Sequence, residues 1–94
     1  MINKNDIPEN KGKIVEIDGK KCCLFNDAGS IKAFSATCTH EEFTVQWNEA
    51  GNSFDCSLHG ARYTVRGKVF QGPAEKNLNP VDIVIEGEEI KLKK

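Results

Sequence analysis

Two short runs of this 94-residue chain hold most of the side chains able to do metal or redox chemistry. The first is Cys38-Thr39-His40 and the second Cys56-Ser57-Leu58-His59, with fifteen residues between His40 and Cys56. Both histidines of the chain and two of its four cysteines lie in these runs. Thiolate and imidazole together are ligands for zinc and for iron–sulfur centres. A tetrahedral zinc site would accept the set, but zinc-finger signatures group cysteine with cysteine and histidine with histidine. Here each run is mixed. That pattern suits a two-iron cluster with unequal ends, Cys38 and Cys56 on one iron, His40 and His59 on the other.

The ligand types matter for the electron. Two ferric ions and two sulfides leave a charge of plus two, which two thiolates cancel and four thiolates would overshoot. Adding an electron to a neutral site is easier, so the potential rises from about −400 mV to roughly −150 to +300 mV. The ring nitrogens turned away from iron stay titratable, which couples reduction to proton uptake at high pH. This is chemistry for moving one electron.

Such loops need a scaffold, and the sequence predicts one made of strands. Lys13 to Ile17 alternates, Asp18-Gly19 is a strong two-residue hairpin signal, and Lys20 to Phe25 returns. Asn26 to Gly29 reads as a second turn and Ser30 to Ala36 as a third strand. Thr44 to Trp47 and Ser53 to Asp55 form a hairpin that would carry both Cys/His runs at one end. Ala61 to Val65 pairs with Lys68 to Gln71 across Arg66-Gly67, and Val81 to Ile85 pairs with Ile90 to Leu92 across Glu86-Gly87-Glu88. The expected fold is all-β, a small antiparallel sandwich or barrel in one domain spanning 1–94.

Composition narrows the function classes. A formal net charge of −1 gives no basic field for nucleic acid. No apolar run approaches the roughly 18 to 20 residues of a membrane span, and the polar start lacks a signal-peptide core. The expectation is a cytoplasmic protein, in which cysteines serve metal or redox chemistry before disulfides. Cys22 and Cys23 are adjacent on a strand and point to opposite faces, so one is expected packed and the other exposed.

The residues CTH at 38–40 and CSLHGARY at 56–63, with the stretch VRGKVFQGPAEKNLNP after them, resemble the Rieske [2Fe-2S] family. The likeness covers nearly the whole chain. It implies the all-β Rieske fold, a cluster-binding subdomain at about 37–71, and one [2Fe-2S] cluster per chain held by Cys38, His40, Cys56 and His59. Gly72-Pro73 matches the turn that covers the cluster in that family.

Departures point to a branch. High-potential members carry a cysteine in each loop, joined in a disulfide, where this chain has Phe43 and Leu58. They place serine, a donor to a bridging sulfide, at the position of Ala61, which cannot donate. Tyr63 matches their tyrosine, a donor to a cysteine sulfur, where soluble ferredoxins often have phenylalanine. Donors toward sulfur stabilise the reduced cluster, so the expectation is a low-to-intermediate potential modestly raised by Tyr63. Glu41 and Glu42 read as rim charges able to steer a basic partner, or as plain solvated loop residues. The resemblance implies a soluble ferredoxin that takes one electron from a reductase and passes it to a terminal oxygenase or other oxidoreductase. No catalysis of its own is implied, and a shuttle need not oligomerise, so a monomer is expected. The alternatives are a small subunit of a larger oxidoreductase, of the nitrite-reductase type, and a structural zinc module.

Overall fold

The computed structural model describes residues 2–37, 44–56, 60–72 and 76–93. Among the described residues ten strands run in chain order: β1 (Ile2–Asn3), β2 (Gly12–Ile17), β3 (Lys20–Asp27), β4 (Ser30–Ser35), β5 (Gln46–Asn48), β6 (Ser53–Asp55), β7 (Arg62–Tyr63), β8 (Val69–Gln71), β9 (Ile83–Glu86) and β10 (Glu89–Leu92). They form three antiparallel sheets, ordered β1-β10-β9, β2-β3-β4 and β5-β6-β7-β8. The all-β architecture expected from turn spacing is the one observed.

Local chemistry explains the central meander. Asp18 and Gly19 both take positive φ, 50° and 81°, the pairing that a tight two-residue hairpin needs. Ala28 and Gly29 do the same between β3 and β4, at 53° and 99°. Positive φ is unfavourable for alanine, and Asn26 compensates. Its side-chain oxygen accepts the Gly29 N–H at 2.6 Å, while its amide donates to the Ile7 carbonyl at 2.7 Å.

The central sheet buries both faces, which corrects the expectation for the two adjacent cysteines. Their side chains do point opposite ways, but neither is exposed. Cys23 joins Phe25, Phe54, Tyr63 and Leu78 in one core, packed toward the β5–β8 sheet. Cys22 joins Ile7, Val15, Ile17, Leu24 and Ile90 in a second core, packed toward β10. Strand alternation assigns faces; it does not say that a third sheet covers the second face.

The polar start also holds structure that its composition did not announce. A 3-10 turn at Lys4–Asp6 is closed by a capping box between Asn3 and Asp6, and Ile7 beyond it is almost fully buried. Strand bounds differ from the sequence pattern in both directions: β3 runs on to Asp27, whereas of Ala61 to Val65 only Arg62–Tyr63 pairs as a strand. A register shift opposite Arg62/Tyr63 accommodates an extra residue on β8. Farther on, the Ser35 N–H donates to the Asn79 carbonyl and the Val81 N–H to the Ala33 carbonyl, so the return segment covers the edge of β4.

Candidate functional site

Of the candidate ligands, the described residues include Cys56; Cys38, His40 and His59 lie outside them, as do Pro73, Glu41, Glu42, Phe43 and Leu58. What the structure does define is the base of each loop. The first run leaves β4 and returns through a bridge between Thr37 and Thr44, reinforced by the Val45 N–H donating to the Ala36 carbonyl at 2.8 Å. The second begins at Cys56, whose N–H donates to the Ala61 carbonyl at 2.7 Å. The Gly60 N–H turns back to the Cys56 carbonyl at 3.0 Å. Gly60 takes φ +78°, a left-handed conformation suited to glycine.

The two bases converge. Ala36 and Val45 from the first, and Cys56 and Ala61 from the second, belong to the same buried core, together with Tyr63. The hairpin of β5 and β6 joins them, as the sequence pattern required. Among the described residues no three metal-ligating side chains come together. Cys56 has its sulfur in no disulfide and its residue only 1% exposed. A buried, unpaired thiol at the neck of a loop pinned by its own backbone fits a soft metal centre. Cys22 and Cys23 sit in the two cores, where burial pushes both thiols up, opposed slightly at Cys22 by the charge of Lys20 and reinforced at Cys23 by Cys22. They are packing residues.

Ala61 is fully buried, with no hydroxyl to offer a sulfide, and Tyr63 is fully buried in the same core. Gly72 follows β8, and the last residue of that strand reaches the base of the second loop: Gln71 Nε2 donates to the Gly60 carbonyl at 3.0 Å. The sequence reading missed this tie, along with a polar cluster on the outer face of the same sheet. Asp55 and Arg62, direct cross-strand partners, flank the Cys56–Ala61 turn. Asp55 Oδ1 accepts from Ser53 Oγ at 2.7 Å and from Arg62 Nε at 3.2 Å, and Oδ2 accepts from Asn48 Nδ2 at 2.7 Å. Burial alone would push the Asp55 carboxyl up, but these hydrogen bonds and the Arg62 charge outweigh it and hold the group below its ordinary range. Opposite charges on either side of the second run were the available signal.

The fold is a small all-β module in which the bases of the two Cys/His runs meet in one buried core. The family model of the Rieske [2Fe-2S] domain matches residues 1–84, and the chain belongs to that family. It is a Rieske electron-transfer domain, whose group is a [2Fe-2S] cluster.

Among curated relatives, the cytochrome b6-f complex iron-sulfur subunit of Chlorobaculum tepidum is 39% identical over 82 residues, covering 87% of this chain and 45% of that protein. The putative Rieske 2Fe-2S iron-sulfur protein YhfW of Bacillus subtilis is 38% identical over 83 residues, 87% of this chain and 16% of that one. This chain thus spans half or less of the curated relatives it matches first. Among solved structures, the plasma membrane Rieske protein PetC3 of Synechocystis superposes over 100% of both chains, with a TM-score of 0.80 at 27% identity. The ferredoxin of carbazole 1,9a-dioxygenase from Nocardioides aromaticivorans shares the fold, with a TM-score of 0.71 at 23% identity over 97% of this chain and 91% of that one. Among the described residues, no helix is long and apolar enough to cross a membrane.

Proposed function

We propose that this chain is a ferredoxin-type Rieske carrier, passing one electron at a time from a reductase to a terminal oxygenase or related oxidoreductase. Cys38 and Cys56 hold one iron of the cluster and His40 and His59 the other. The observation that carries this reading is the meeting of both loop bases in one buried core, with the free Cys56 thiol at the neck of the second. The cluster supplies a reversible one-electron couple. The chain's own residues exclude water from its inner side and fix the two loops. The low-potential branch is supported by Phe43 and Leu58 where a loop disulfide would need cysteines, and by Ala61 where a donor to sulfide would stand. In this reading the carrier works as a monomer in the cytoplasm.

A second reading has one specific observation in its favour. A relative at 39% identity is the iron-sulfur subunit of a cytochrome b6-f complex, so this chain would serve as the cluster domain of a larger assembly. One titration decides between the two. Purified protein should show the visible absorption of an iron–sulfur cluster that bleaches on reduction; a colourless zinc-loaded protein refutes both. A midpoint toward the lower end of the Rieske range, about −150 mV, supports the ferredoxin reading, and one toward about +300 mV supports the second.

A further inference from the structure

The outer face of the β5–β8 sheet carries a charged pair held more tightly than a surface ion pair needs to be. Exposed ion pairs contribute little to stability because solvent screens them and their side chains lose freedom. Asp55 and Arg62 are only partly exposed, at 25% and 30% of their side chains. Both carboxylate oxygens of Asp55 are occupied, by Ser53, Arg62 and Asn48. The Arg62 guanidinium also donates from Nη2 to Ser53 Oγ at 3.1 Å, and its central carbon lies 5.1 Å from the centroid of the Phe70 ring. The turn between β5 and β6 closes over it, since a Cβ on Gly51 would overlap Arg62 Nη2. Four elements therefore lock one guanidinium and one carboxylate in place.

Their position gives the lock a purpose. Asp55 immediately precedes Cys56, and Arg62 immediately follows Ala61, the residue whose carbonyl accepts the Cys56 N–H. Alternation turns Cys56 and Ala61 inward and the charged pair outward, so the pair lies across one thickness of sheet from the candidate sulfur. Across so short a span, an unpaired unit charge changes the ease of adding an electron to a group on the sulfur.

We propose that Asp55 and Arg62 are positioning residues forming a charge-compensated clamp on the second loop. They fix the base of the turn while their opposite charges cancel, so that the clamp does not bias the reduction potential. The inference rests on the cluster-binding reading of Cys56 and goes beyond it by assigning the potential's insensitivity to a particular pair.

The test is the midpoint potential of the cluster-loaded protein at low ionic strength, with cluster content first verified by visible absorption. Asp55→Asn leaves the guanidinium uncompensated and should favour reduction about three- to fivefold. Arg62→Gln leaves the carboxylate uncompensated and should disfavour it by a similar factor. Those factors correspond to about 30 to 40 mV in opposite directions for a one-electron couple. The double variant and Arg62→Lys, which retains the charge, should both return toward wild type. A purely structural role would move both single variants the same way or neither, and either result overturns the proposal. Should Asp55→Asn fail to load a cluster, Arg62→Gln against Arg62→Lys decides: a lower potential for Gln alone supports the proposal, and equal potentials sink it. A wild-type chain that takes up no cluster overturns the functional reading and this inference with it, whereas loaded proteins with unmoved potentials overturn the inference alone.

Discussion

At Gly67 a single added methyl group meets both a left-handed backbone and a neighbouring ring, so its cost can be separated into two parts. Gly67 takes φ +78°, and a Cβ there would lie 2.7 Å from Phe34 Cδ1 and 2.8 Å from Cε1. The left-handed backbone alone costs an L-residue roughly 1–2 kcal/mol. Overpacking against a ring typically adds about 1–3 kcal/mol, taken here at the low end because Phe34 is half-buried and can give way. The residue cannot drift, because its N–H donates to the Thr64 carbonyl at 2.9 Å and its carbonyl accepts the Leu78 N–H at 2.7 Å. Gly67→Ala should therefore destabilise by at least about 2 kcal/mol, which in a domain of this size lowers the thermal midpoint by about 8–16 °C. Gly29 supplies the control. It also has positive φ, at 99°, but no atom within 4 Å of its would-be Cβ, so Gly29→Ala should cost only the backbone part. The assay is far-UV circular dichroism on heating, at one scan rate, with both variants and wild type in parallel. Equal midpoints for the two variants would refute the Phe34 contact, and a Gly67→Ala midpoint within about 4 °C of wild type would refute the argument as a whole.

Three further outcomes follow from the site and the cores. Ala61→Ser places a hydroxyl beside Cys56 in a fully buried position; if a cluster sulfide accepts it, the midpoint potential of loaded protein rises, and Tyr63→Phe lowers it, while an unchanged potential in both variants removes the hydrogen-bond account. Asp55 has a folded pKa below its ordinary 3.8, so its contribution to stability is complete above that value and is lost as pH falls through the lower folded pKa. Between pH 5 and pH 3, the urea midpoint of wild type should fall more steeply than that of Asp55→Asn, and parallel curves would contradict this. Cys22 and Cys23 should resist iodoacetamide in the native protein and react in urea, as read by peptide mass spectrometry, because burial removes access and disfavours their thiolates; native labelling at either would show that one face of the central sheet opens.

What could be read in the chain was what is local. Paired turn residues such as Asp18-Gly19 have one favourable backbone solution, so the hairpins of the central meander were legible from their dipeptides. The family resemblance was legible in the two mixed Cys/His runs because ligand chemistry depends on residue type and spacing, and the family match over residues 1–84 bears out the family. Two adjacent cysteines on a strand had to face opposite ways. Whether either would meet solvent could not be decided from β3 itself, since the answer lies in Ile90, far along the chain, and in Phe54 on another sheet. The same holds for Asp55 and Arg62. Each is an ordinary charged residue in sequence, and only the pairing of β6 with β7, together with Asn48, Ser53 and Phe70 around them, makes a fixed pair beside Cys56. Sequence alone determined which atoms are available to hold a metal centre and where the chain turns. Tertiary packing decided which thiols are shielded and which charges stand next to the site, because burial and long-range pairing depend on every strand that stacks above or beside a residue.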